Sequence, residues 1–249
     1  MERKEGIVLF HESRQQRIGV YTGILFAATW CFLAFARRFL VWLTSLCHIA
    51  YDDGNTALTN ALVYALLLLL TICMFGAVWR ESRRNLPADG AKRIVKKLGW
   101  SLLILVAVTF ASGLLNIAAE SFFAVESAND ARAETVMTSG GLVLWAILSV
   151  AVGPFVEETL YRYGIFRFFY EKSRVAAYLV SSGLFGMAHV IHPEMLRGDF
   201  SQLLLFLPYA AMGAGLAWIY GRTKNLHYPL LMHALRNLAG VIIQLIYFT

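Results

Sequence analysis

Long apolar runs, repeated along the chain and separated by short polar tracts, constrain this sequence more than any other feature. They cover residues 18–36, 57–79, 98–119, 141–170, 175–191, 201–220 and 228–248. A helix needs about 20 apolar residues to cross a hydrocarbon core near 30 Å, and most of these runs have that length. Composition agrees: 58% of the 249 residues are hydrophobic and 15% are charged, where a soluble domain carries roughly a quarter charged residues. No alternation of apolar and polar residues suggests a transmembrane barrel. Disorder is excluded, and so is a disulfide-stapled module, because Cys31, Cys47 and Cys73 show neither an even count nor metal-type spacing. The expected fold is an all-α polytopic membrane protein. It is a bundle of about seven transmembrane helices, eight if the short apolar stretch 39–50 crosses as well, around a buried polar cavity. Residues 1–140 read as generic N-terminal membrane helices and 141–249 as a core that carries the chemistry.

A cleaved signal is the competing view of the first run, since Ala34-Phe35-Ala36 resembles a small-residue cleavage site. The long polar leader and six further runs favour a retained helix. The net charge of +6 sits in short tracts. Arg3, Lys4, Arg14 and Arg17 precede the first run. Arg80, Arg83, Arg84, Lys92, Arg93, Lys96 and Lys97 follow the second, whereas Glu120, Glu126, Asp130 and Glu134 follow the third. The positive-inside rule then puts the N-terminus in the cytoplasm, with Glu171-Lys172-Ser173-Arg174 and Arg222/Lys224 as later inner turns. The basic tract could also bind anionic lipid, but a topogenic loop explains it more simply. Nucleic acid is not an expected partner.

Ionisable residues inside membrane helices are costly and mark sites. Here they concentrate in the second half: Glu157-Glu158-Thr159-Leu160-Tyr161-Arg162, then Phe185-Gly186-Met187-Ala188-His189, then His233-Ala234-Leu235-Arg236-Asn237. Glu158 and Arg162 are four apart and can pair on one helix face, which leaves Glu157, about 100° round, to face another helix. His233 and Asn237 share a face in the same way. With a rise of 1.5 Å per residue, Glu157 and His189 each lie roughly 22 Å from the turn that joins their helices, and from Lys224 His233 lies about 14 Å and Asn237 about 20 Å. Similar depth is what one constellation requires. Singly, each has a plainer account: a packing ion pair, an interhelical hydrogen bond, or bulk for Phe185. Small residues at Ser182/Gly186 and Ala211/Gly215 suit close helix approach. His11, His48, His192 and His227 lie near ends or loops, with Pro193 ending the fifth helix.

A carboxylate beside an imidazole can deprotonate a captured water. An imidazole with an amide can stabilise the oxyanion that forms at an attacked carbonyl. Together they suit peptide hydrolysis without a covalent intermediate. No Gly-x-Ser-x-Gly elbow or Cys–His pair supports a nucleophilic enzyme. Glu157, His189 and His233 could alternatively ligate Zn²⁺ or another divalent metal, although the His-Glu-x-x-His signature is absent. A proton- or ion-coupled transporter and a non-catalytic immunity or scaffolding protein are the rival classes.

Glu157-Glu158-x-x-x-Arg162, Phe185-x-x-x-His189 and His233-x-x-x-Asn237, in this order on successive helices, resemble the three motifs of the CPBP intramembrane proteases. That family includes the type II CAAX prenyl endopeptidases and the bacterial Abi proteins. The resemblance covers about residues 142–237, with Gly213, Gly215, Asn225 and Tyr228-Pro229 matching the usual approach to the third motif. It implies a multi-helix fold whose cavity opens toward the cytoplasm. It assigns water activation to Glu157 and His189, oxyanion stabilisation to His233 and Asn237, and organisation of the site to Glu158, Arg162 and Phe185. It leaves open whether a metal takes part. The implied partner is a membrane-adjacent peptide or protein, lipidated or not, surrounded by membrane lipids, and the expected location is a bacterial plasma membrane.

Overall fold

A computed structural model describes residues 16–31, 53–86, 90–125, 142–191 and 200–248, with a few isolated positions between them. Residues 39–50, the Ala34-Phe35-Ala36 step, His11, His48, His192 with Pro193, and most of the acidic linker lie outside the described residues, apart from isolated positions. Seven helices are present among those described, with no strand. They are α1 (16–31), α2 (Asp53–Arg84), α3 (Gly90–Phe123), α4 (Leu142–Tyr170), α5 (Arg174–Val190), α6 (Ser201–Thr223) and α7 (His227–Phe248). Five of them, α2, α3, α4, α6 and α7, are long and apolar enough to cross a membrane. The protein is an all-α integral membrane protein. α5 has 17 residues and packs most extensively against α6.

Large apolar side chains face outward along the helices, among them Val106, Phe110 and Leu103 on α3. Such a surface is stable against acyl chains and not against water. Inside, one apolar core joins Leu67, Phe75 and Trp79 of α2 and Leu105 of α3 to Leu160 and Phe166 of α4, Phe185 of α5, and Leu216 of α6. The N-terminal helices therefore share the core of the chemistry-bearing half. α2 is locked to α4 where Trp79 stacks on Phe155 at 4.5 Å and donates from Nε1 to Thr159 Oγ1 at 2.8 Å. Small residues set the α5–α6 approach, as the sequence spacing suggests. A Cβ on Gly186 would come within 2.9 Å of the Ala210 backbone nitrogen.

Three turns meet at one end of the bundle. Ser173 caps α5 by accepting from the Ala176 N–H. Lys224 ends α6 in a left-handed conformation, φ 54°, and lies over the Tyr170 ring at 3.8 Å. Ser82, near the end of α2, donates to Asn225 Oδ1 at 2.9 Å. These contacts gather Arg83, Arg84, Lys172, Arg174, Arg222 and Lys224 into one basic end. A smaller apolar cluster at the other end joins Ala119, Val125, Val190 and Leu205.

α4 is continuous through Pro154 and unbroken, but it widens into π-helix at Leu148–Val152 and again at Glu158–Phe166. Widened turns of this kind concentrate at functional sites. Pro154 supplies a local cause for the first. It has no N–H, and its ring crowds the preceding turn.

Candidate active site

Three helices bring their polar residues together midway through the bundle. From α4, Glu158 is fully buried beside Arg162. Arg162 Nε donates to Glu158 Oε2 at 2.9 Å and its Nη2 to Oε1 at 3.4 Å. The i,i+4 pair read from the sequence is therefore formed, with both side chains fully shielded. A third donor was not legible in the spacing: His233 Nδ1, from α7, meets Glu158 Oε1 at 2.9 Å. Arg162 Nη1 also donates to Ser181 Oγ on α5, and Ser181 in turn donates to the Tyr161 carbonyl. Glu158 thus joins two helices, and Arg162 reaches the third.

Glu157 points the other way, as the helical angle requires. Its Oε2 lies 3.9 Å from His189 Nε2 and 3.8 Å from His233 Nε2. That oxygen is buried and has no hydrogen-bond partner. Leaving a carboxylate oxygen buried and unpaired is costly, so the arrangement is built for something between the three groups. A water roughly 2.8 Å from Oε2 and from either ring nitrogen fits these separations.

Each imidazole is held by its other nitrogen. His189 Nδ1 lies 2.8 Å from the Phe185 carbonyl. A carbonyl only accepts, so Nδ1 carries the hydrogen and the neutral ring offers Nε2 as an acceptor. His233 follows the same logic, because the Glu158 carboxylate accepts from its Nδ1. For His233 to donate to an oxyanion, Nε2 must carry a second proton. The ring is then a cation, balanced with Arg162 against Glu157 and Glu158. Phe185 is 1% exposed. Its ring stands 4.5 Å from His189, 5.7 Å from His233 and 4.9 Å from the Arg162 guanidinium. It is a wedge between the polar groups, where the simpler sequence account made it bulk. Tyr209 of α6 stacks on the far face of the site at 4.8 Å from His189.

Asn237 shares the α7 face with His233. Its Nδ2 donates to the Ser149 carbonyl of α4 at 2.8 Å, which leaves one amide hydrogen for the cavity. That cavity, about 210 Å³, is lined by Glu157, His189, His233, Asn237 and Arg236. Its walls include Tyr64 of α2 and Asn116 of α3, from helices whose sequence is generic. Asn116 Oδ1 is buried without a partner. Apart from Phe185, one turn nearer the basic end than His189, the lining positions lie between the three facing groups and the end of the bundle opposite the basic turns, so the cavity runs away from those turns.

Glu157, His189 and His233 are the donors a metal would use, and imidazoles anchored through Nδ1 are common among metal ligands. Tetrahedral zinc, with bonds of about 2.0–2.1 Å, sets its ligand atoms about 3.4 Å apart. The separations here are 3.8 and 3.9 Å. Among the described residues no group of three His, Cys, Asp or Glu side chains is arranged to hold a metal ion. The residues as they stand do not fit one, and no step is derived through it.

Residues 139–239 match the family described as "Type II CAAX prenyl endopeptidase Rce1-like", and every motif residue falls inside that segment. The chain is 28% identical over 189 residues to "Putative membrane peptidase YdiL" of Bacillus subtilis, covering 76% of this chain and 72% of that protein. It is 24% identical over 203 residues to "Membrane-embedded CAAX protease MroQ" of Staphylococcus aureus, covering 76% of each. A third relative, "UPF0177 protein YvdC" of Lactococcus lactis, is 24% identical over 235 residues, covering 90% of this chain and 81% of that protein. No solved structure matches the chain.

Proposed function

Residues 139–239 being Rce1-like, we propose that this chain is an intramembrane endopeptidase that hydrolyses a peptide bond next to the membrane with a water activated by Glu157. At the level of its family the chain is a membrane protease. The observation that carries the finer reading is the buried, partnerless Glu157 Oε2 facing two anchored imidazoles at 3.8 and 3.9 Å. Glu157 takes a proton from the water while His189 Nε2 holds the second hydrogen. The hydroxide oxygen bonds to the scissile carbonyl carbon. The resulting oxyanion accepts from the free Asn237 amide hydrogen and from Nε2–H of protonated His233, whose cation Glu158 balances. Glu157 then passes its proton to the departing nitrogen as the C–N bond breaks, which leaves a carboxylic acid, an amine and an ionised Glu157, and the acid loses its proton to water on release. Arg162, Ser181 and Phe185 hold the participants in register.

The substrate is a membrane-adjacent peptide or protein segment, lipidated or not, and the setting is a bacterial plasma membrane. Peptide maturation and bacteriocin immunity are the roles this chemistry serves. The relatives named as a membrane peptidase and a CAAX protease support the reaction class. The test compares membrane peptidomes of cells that carry the native chain and the Glu157→Gln variant. Uncleaved precursors that accumulate only with the variant are the expected result. Identical peptidomes, with the variant present in the membrane at native level, would overturn the reading.

A further inference from the structure

The cavity and the basic turns occupy opposite ends of the bundle, and this bears on which side of the membrane supplies the substrate. Along α4, Trp145 lies about 38 Å from Tyr170 at the basic end and about 5 Å from Leu142 at the other. Along α7, Gln244 lies about 25 Å from His227 and about 6 Å from Phe248. Asn116 falls in the last part of α3, and Tyr64 and Pro208 in the first parts of α2 and α6. Six helices that alternate in direction therefore agree in sense: each lines the cavity from about its middle toward the end away from its basic turn, and α7 begins nearest that turn, at His233.

The basic end carries Arg80, Arg83, Arg84, Lys92, Arg93, Lys96 and Lys97 between α2 and α3, relieved by Glu81 and Asp89. Arg167, Lys172, Arg174, Arg222 and Lys224 join them at the other two turns. The linker at the cavity end, after α3, is acidic in sequence. Lys and Arg concentrated in short loops stay in the cytoplasm during insertion. The cytoplasmic opening implied by the family resemblance and the orientation dictated by this charge pattern cannot both hold.

We propose that the cavity opens on the extracytoplasmic side of the membrane. Its substrate is then a peptide segment on that side, such as an exported peptide or the outer part of a membrane protein, and not a cytoplasmic protein tail. This rests on the hydrolase reading for the word substrate, but the sidedness stands on the placement of charge and cavity alone.

The test uses the full chain with Cys31, Cys47 and Cys73 replaced by Ser. A single cysteine is then introduced by Gln244→Cys in the cavity, Glu120→Cys at the cavity end of α3, or Lys92→Cys at the basic end. Intact cells are treated with a membrane-impermeant maleimide before and after permeabilisation. The expected result is that Glu120→Cys and Gln244→Cys are labelled in intact cells and Lys92→Cys only after permeabilisation. The reverse pattern, or labelling of both ends in intact cells, would overturn the proposal. Labelling needs no turnover, so the same chains carrying Glu157→Gln give the same pattern. A failed hydrolase reading thus remains distinguishable from a failed orientation.

Discussion

The side-chain amide of Asn237 donates to the main-chain carbonyl of Ser149, 2.8 Å away on a different helix. That carbonyl is available because of Pro154, five residues further along α4. In the widened turn, the Gly153 N–H reaches back five residues to the Leu148 carbonyl. The next donor in the pattern would come from residue 154, and Pro154 has no N–H. One helix thus leaves an acceptor unpaired, and the other fills it with the residue assigned to the oxyanion.

Pro154→Ala restores an N–H that competes for the Ser149 carbonyl and loosens Asn237. Turnover of the native precursor is expected to fall on the order of tenfold, with KM unchanged, because only transition-state stabilisation is weakened. Asn237→Ala alone should cost more, roughly a hundredfold or above. If Pro154 acts through Asn237, adding Pro154→Ala to Asn237→Ala costs nothing further. Additive losses in that double-mutant cycle would show that the proline shapes the site by another route.

The reach of the sequence follows from the same geometry. Pairs four residues apart on one helix, Glu158/Arg162 and His233/Asn237, are legible because helical periodicity fixes their common face. Contacts between helices are not. The spacing offers Glu158 one partner, Arg162, yet its carboxylate also takes His233, and nothing in either motif sets the rotation of α7 against α4. The π-helical widening was invisible for a related reason: Pro154 predicts a disturbance but not whether a helix breaks or swells. Asn116 and Tyr64 reach the cavity from helices whose apolar sequence carries no mark of a site.

Glu158 and Arg162 separate stability from chemistry. Glu158→Gln leaves a buried guanidinium without its counter-charge, a loss of about 3–5 kcal/mol. Thermal unfolding in detergent should show a clearly lowered midpoint. Replacing both, Glu158→Leu with Arg162→Met, removes the stranded charge and should recover much of that stability. Activity should not return, because His233 Nδ1 has lost the acceptor that orients the ring. Full activity in the double variant would reduce the Glu158–His233 contact to packing.

Arg236 lines the cavity one residue before Asn237, and among the described residues no ion pair engages it. A cation inside a membrane helix is tolerated where water or an anion meets it, so this one suits an acidic group on the bound peptide. Arg236→Gln is expected to raise KM about tenfold, near the strength of one charge-assisted hydrogen bond, and to leave kcat within about twofold. Replacing the substrate's acidic residues in turn should identify one whose loss is felt by the native chain and not by the variant. Equal sensitivity of the two would place Arg236 outside recognition.

Metal dependence follows from the spacing around Glu157. Ligand atoms that stand 3.8 and 3.9 Å apart would have to draw together by several tenths of an ångström to share a zinc ion. His233 is already tied through Nδ1 to Glu158, and His189 to the Phe185 carbonyl, so both rings resist that shift. Purified active protein is therefore expected to contain well under one equivalent of transition metal and to keep its turnover after prolonged chelation and dialysis. A metal ligated by three side chains would leave on chelation and take activity with it. Chelator-sensitive turnover restored by stoichiometric Zn²⁺ would mean that the three groups close around an ion in the working enzyme, and the water would then be activated by the metal and not by Glu157 alone.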